Sequence, residues 1–205
     1  MTPIVNSTDI HKLIALDPVF KSIFETYGTP ENYERAEGFE TLCRIILEQQ
    51  VSLASGKAHY VKLKNYISIY TPEQLLKLSD VEFKNCFISK QKATYLRALS
   101  NAILTNQIDL SLLSSLSEAE IRLQLTAIKG IGNWTADVYL MFCLQHKNIF
   151  PIGDIAIRQS IKTLYQIEDR EVMTKLAETW KPYQSLACYF LWHFYLKSRN
   201  RPVIT

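Results

Sequence analysis

An all-α fold is predicted from three observations. Apolar residues recur at three- and four-residue spacing along most of the 205-residue chain, the period of one helix face. No segment alternates apolar and polar residues between hairpin turns, as a half-buried strand would. Helix start signals are frequent, among them Thr71-Pro72-Glu73 and Ser117-Glu118-Ala119-Glu120. Proline suits a first helical turn, and a serine followed three residues later by glutamate is a capping box.

In chain order, helices are predicted over 8–16, 18–27, 37–49 and 53–69, with Gly28-Thr29-Pro30 as a clear break. Another begins at Thr71-Pro72-Glu73. Helices near 80–86, 90–105, 118–128 and 133–146 follow, then 154–165, 171–180 and 183–198. The chain has no internal repeat and no low-complexity stretch.

The segment from Leu125 to Gln159 is the most informative. Ile121, Leu125 and Ile128 give the preceding helix one apolar face, and Gly130 and Gly132 break it. Trp134, Val138 and Met141 mark the buried face of the next helix. Glycine tolerates positive φ and admits close approach of another backbone. Unpaired N–H groups at the following helix N-terminus can hold a phosphate without reading sequence. The same glycines would also serve an ordinary corner between two helices. Asp154 follows Pro151-Ile152-Gly153 and precedes Ile157, Ile161 and Leu164, so it is placed to cap a helix. Capping alone would explain it on spacing.

Composition fits a compact intracellular protein: 47% hydrophobic, 21% charged. No apolar run is long enough for a membrane span, and no secretory signal is visible. Cys43, Cys86, Cys143 and Cys188 lack close metal-ligand spacing and read as buried thiols. The net charge of +3 is unevenly spread: residues 1–50 carry −4 and residues 51–205 carry +7. A basic side facing a polyanion and a merely solvated surface both fit that asymmetry.

Four segments, in order, resemble the helix-hairpin-helix DNA glycosylase superfamily, and within it the 3-methyladenine DNA glycosylase II branch. They are Ile45-Ile-Leu-Glu-Gln-Gln-Val-Ser52, Ile128-Lys-Gly-Ile-Gly-Asn-Trp-Thr-Ala136, Phe150-Pro-Ile-Gly-Asp-Ile-Ala-Ile-Arg158, and Trp180-Lys-Pro-Tyr-Gln-Ser185 with Trp192. With Asp17-Pro18 and Lys90–Leu96 the likeness covers about residues 9–198. It implies two helical lobes with a cleft between them: about 1–35 plus 150–205 in one, about 36–149 in the other. The hairpin spans 118–146. The extra N-terminal β-rich domain of the inducible bacterial relatives is not expected, since Gln49-Gln50 already lies near the start.

The resemblance also implies roles. Asp154 matches the catalytic aspartate. Trp134 and Trp192 match base-pocket positions, and Tyr139 is a weaker pocket candidate. Lys129, Gly130, Ile131, Gly132, Thr135 and Ser52 are expected to touch the DNA backbone. Gln50 stands where a relative has a leucine wedge; a glutamine there can also simply bond nearby carbonyls. Bifunctional members carry a nucleophilic lysine where Trp134 stands, and tryptophan cannot form a Schiff base. A single cysteine in the C-terminal region cannot build the iron–sulfur cluster of other branches. A monovalent cation at the hairpin is possible; no other cofactor or metal is implied.

Two departures bear on specificity. Val138 stands where the inducible bacterial relative has a pocket tyrosine, and Phe87 stands where relatives often have glycine. The expected activity is hydrolysis of the N-glycosidic bond of alkylated bases, such as 3-methyladenine, flipped from double-stranded DNA. That leaves an abasic site in base excision repair. A glycosylase for deaminated or oxidised bases and a non-catalytic DNA-binding module are the competing readings. A monomer is expected, away from membranes: cytoplasmic with the nucleoid in a prokaryote, nuclear in a eukaryote.

Overall fold

A computed structural model describes residues 2–67 and 69–200. Ser68, within the helix predicted to reach 69, and residues 201–205 of the predicted C-terminal lobe lie outside them. No strand occurs among the described residues. The helices are α1 (Ser7–Leu16), α2 (Pro18–Tyr27), α3 (Phe39–Glu48), α4 (Leu53–Tyr66), α5 (Pro72–Leu76) and α6 (Asp80–Asn85). Then come α7 (Lys90–Leu104), α8 (Glu118–Thr126), α9 (Asn133–Phe142), α10 (Ile155–Tyr165), α11 (Arg170–Glu178) and α12 (Gln184–Lys197). None is long and apolar enough to cross a membrane.

The starts follow the sequence signals. Thr71 caps α5 ahead of Pro72, and Ser117 and Glu120 form the capping box of α8. A 3-10 helix at Leu110–Ser115 has no counterpart in the sequence reading; it is only six residues long and serine-rich, and Asp109 caps it by accepting the Ser111 N–H.

The predicted helix to 146 stops at Phe142. Gln145 takes a left-handed backbone (φ 52°), and its side-chain amide donates to the carbonyls of Met141 and Phe142. It thereby satisfies carbonyls that the ended helix would leave unpaired.

The described residues form two compact units. One contains residues 2–34 and 140–200, the other residues 35–139. The chain rejoins the first unit at 140 rather than near 150. Phe142 stacks on Tyr33 with ring centroids 5.5 Å apart, and Gln145 accepts the Ile4 N–H. Arg35 falls in the second unit, where it pairs with Glu48.

The first unit is built around aromatic residues. Trp180, Phe20, Tyr189 and Phe190 are fully buried, and Phe20 meets Trp180 edge-on at 5.2 Å. Asp17 ties this core together: one carboxylate oxygen accepts both the Tyr165 hydroxyl and the Trp180 indole N–H. The second unit has an aliphatic core, with Leu42, Ile45, Ile46, Leu96, Leu99, Ile121 and Leu125 fully buried.

Candidate functional site

The hairpin lies in the second unit. After α8, the Ile128 N–H bonds to the Leu125 carbonyl and the Ile131 N–H to the Ile128 carbonyl. These bonds close the turn. Gly130 has φ 95°, a backbone that side chains rarely adopt. A Cβ there would lie 2.1 Å from Cγ of Tyr95, so the protein itself demands this glycine. Gly132 differs. Its φ is ordinary, and a Cβ there would meet nothing within 4 Å. The fold does not require it, but its exposed backbone leaves room for something outside to approach.

The expected phosphate-contacting residues divide. Lys129 and Gly132 are exposed, and Gly130 is half-buried. Ile131 and Thr135 lie inward. The Ile131 side chain is buried and its N–H is spent inside the turn. Thr135 is 1% exposed, and its hydroxyl accepts the Gln49 side-chain amide at 2.9 Å. Ser52 is exposed and caps α4 by accepting the Ser55 N–H. Gln50 is exposed, with φ 53° at the turn between α3 and α4.

Trp134, at the start of α9, is half-buried. Tyr139 is fully buried, and its hydroxyl accepts the Gly38 N–H at 3.0 Å. It is a core residue and offers no face to a base. The physical reason is depth: every residue of α9 from Thr135 to Phe142 is buried, Val138 included, so the helix presents no open face beyond Trp134. The hairpin helices are joined by an ion pair between Arg122 of α8 and Asp137 of α9. Burial pushes the Asp137 carboxyl up to about 6, and Arg122, pulling the other way, does not offset it.

The first unit carries the carboxylate. The Ile152 N–H bonds to the Phe150 carbonyl and the Asp154 N–H to the Pro151 carbonyl, forming the turn before α10. Asp154 is the N-cap of α10 and accepts the Ile157 N–H at 3.0 Å. It is half-buried. Ile157 and Ile161 bury the inner face of the helix, and the Ser160 hydroxyl donates to the Leu191 carbonyl of α12. Ser185 holds the approach to the turn, donating to the His146 carbonyl and accepting the Ile149 N–H. The carboxylate thus sits on a helix anchored at several points.

Trp192 lies on α12 and is half-buried. Phe142 and Tyr33 meet it edge-on at 5.6 and 5.8 Å, and Tyr189 lies tilted at 5.8 Å. These rings fix the plane of the indole. Tyr33 escaped the sequence reading because it lies in the irregular segment after Gly28-Thr29-Pro30, outside any periodic pattern. Its hydroxyl is buried without a hydrogen-bond partner, and burial, with Glu31 nearby, pushes its pKa up to about 12. All four cysteines are buried, and the described residues hold no cluster of three or more His, Cys, Asp or Glu suited to a metal ion.

Residues 43–182 match the family model of the HhH-GPD superfamily base excision DNA repair protein. DNA-3-methyladenine glycosylase 1 of Schizosaccharomyces pombe is 27% identical over 198 residues, covering 92% of this chain and 86% of that protein. A DNA-3-methyladenine glycosylase of Bacillus subtilis is 26% identical over 200 residues, covering 90% of this chain. The chain spans 66% of that relative's length and 63% of the length of another Bacillus subtilis relative. Among solved structures, a Schizosaccharomyces pombe 3-methyladenine DNA glycosylase in complex with abasic DNA matches with a TM-score of 0.84 at 26% identity. The match covers 91% of this chain and 95% of that one. A DNA-3-methyladenine glycosidase from Bacillus halodurans matches with a TM-score of 0.77 at 26% identity, covering 95% and 92%. With its glycine hairpin and its capped aspartate in their expected order, the chain belongs to the HhH-GPD superfamily of base excision DNA repair proteins.

Proposed function

We propose that the chain is a DNA glycosylase that hydrolyses the N-glycosidic bond of alkylated purines, 3-methyladenine among them, in double-stranded DNA. The observation that carries this reading is Asp154, a half-buried carboxylate fixed at the N-terminus of an eleven-residue helix. Cleaving the bond builds positive charge on the deoxyribose, and an ionised carboxylate beside the sugar stabilises it. The same group can orient or deprotonate the attacking water. The names of the relatives support the substrate class.

The remaining roles follow from chemistry. The exposed N–H groups at Gly132 and the start of α9, with Lys129, grip a backbone phosphate. A monovalent cation at this turn would be held by backbone carbonyls. Gln50 fills the gap left by the extruded base, and Ser52 contacts the strand beside it. Trp134 offers an electron-rich face to a base made cationic by alkylation, and Trp192 has the same chemistry in its own unit. Trp134 also stands where a lysine nucleophile would be needed, so the product is an intact strand with an abasic site. The protein acts as a monomer wherever chromosomal DNA lies: with the nucleoid in a prokaryote, in the nucleus of a eukaryote.

The test is incubation with methylated duplex DNA, with chromatography of released bases and borohydride trapping. Free 3-methyladenine and no trapped adduct are expected. A covalent adduct would contradict hydrolysis by water. Release only from deaminated or oxidised DNA would move the substrate class, and no release from any of these would reduce the chain to a binding module.

A further inference from the structure

We propose that Gln49 is a positioning residue that locks the wedge turn to the phosphate-gripping turn. The proposal rests on the glycosylase reading above. Gln49 ends α3, leaves the helix with φ −59° and ψ 131°, and precedes exposed Gln50. Its side-chain amide has two N–H donors, and both are used on the hairpin. One reaches the Gly130 carbonyl and the other the Thr135 hydroxyl, each at 2.9 Å. One acceptor is the first glycine of the Gly-Ile-Gly turn, and the other lies three residues beyond its end, in α9.

The end of α3 is independently immobilised. Lys92 donates to the Leu47 carbonyl at 2.6 Å. Glu48 is paired with both Arg35 and Arg44. Gly56 of α4 makes room for Glu48: a Cβ there would lie 2.8 Å from Glu48 Cγ. Gln49 therefore links one fixed body to another, and the link is shielded by the buried Thr135. Gln50 then enters the duplex at a set distance from the phosphate held by the hairpin. This preorganisation lowers the cost of extruding the base. It matters less where the base is already unpaired.

The test uses an oligonucleotide with a single adenine, methylated and annealed to a complement carrying either thymine or an abasic site opposite it. Gln49→Met keeps side-chain length and removes both donors. We expect kcat/KM for base release to fall about tenfold on the paired lesion, as for the loss of two ordinary hydrogen bonds, and less than about threefold on the unpaired one. Thr135→Val removes one acceptor and gives a smaller loss with the same preference. The double variant matches Gln49→Met alone. Equal losses on both substrates, or no loss on the paired lesion, would overturn the role. Absence of base release by the wild type would overturn the glycosylase reading and this role with it.

Discussion

The hairpin unit and the carboxylate unit are held together differently. Around the hairpin, an aliphatic core is joined by a few long-range polar contacts: Gln49 to Gly130 and Thr135, Lys92 to Leu47, and Arg122 to Asp137. Around α10 and α12 the packing is dense and aromatic, with Trp180 against Phe20, Phe150 and Tyr165. Hydrogen bonds contribute about 0.5–1.5 kcal/mol each in net terms, whereas a buried aromatic contributes several. The polar links of the hairpin turn are therefore tunable in small steps, while single substitutions in the aromatic platform under Asp154 carry large costs.

The sharpest way to break this contrast is Trp180→Ala. It should cost about 3–5 kcal/mol in urea unfolding, the range for truncating a buried aromatic. A loss under 1 kcal/mol would mean that the aromatic core does not carry the unit. Gly130→Ala comes next. Its φ of 95° and the contact with Tyr95 predict a loss of at least about 1–3 kcal/mol, together with loss of DNA binding. Gly132→Ala isolates the outward-facing glycine. Its stability should stay within about 0.5 kcal/mol, while affinity for abasic duplex falls several-fold. Equal effects at the two glycines would erase the distinction between them.

The smallest effect is a pH slope. Folded Asp137 keeps its proton up to about pH 6, whereas an unfolded carboxyl releases it near 4. The folded state binds more protons in that window, so this group's contribution to stability falls as pH rises through it. Asp137→Asn should flatten the Tm profile between pH 4 and 6.5. An unchanged profile would remove Asp137 as the source.

Much of this was legible in local sequence. Ser117 with Glu120, Pro72 and Asp154 each act within one turn of their own position, so spacing alone announces them. Other features depend on partners far along the chain. Gln49 meets Gly130 across 81 residues, and nothing local marks which acceptor its amide will find. Thr135 was assigned to phosphate because its neighbours suit phosphate; its side chain is instead buried, with the hydroxyl oxygen accepting from Gln49. Tyr139 lies in a helix buried on all sides beyond its first turn, and local spacing does not show that depth. Tyr33 lies where no period applies, and Gln145 ends α9 through a left-handed conformation that glutamine rarely signals.

The most direct measurement is single-turnover release of 3-methyladenine from methylated duplex by the wild type and by Asp154→Asn. Asparagine retains a carbonyl to cap α10 but has no charge. Release should fall by at least about 100-fold, with binding to abasic duplex and the unfolding midpoint little changed. Release at the wild-type rate by Asp154→Asn would contradict the catalytic role of this carboxylate.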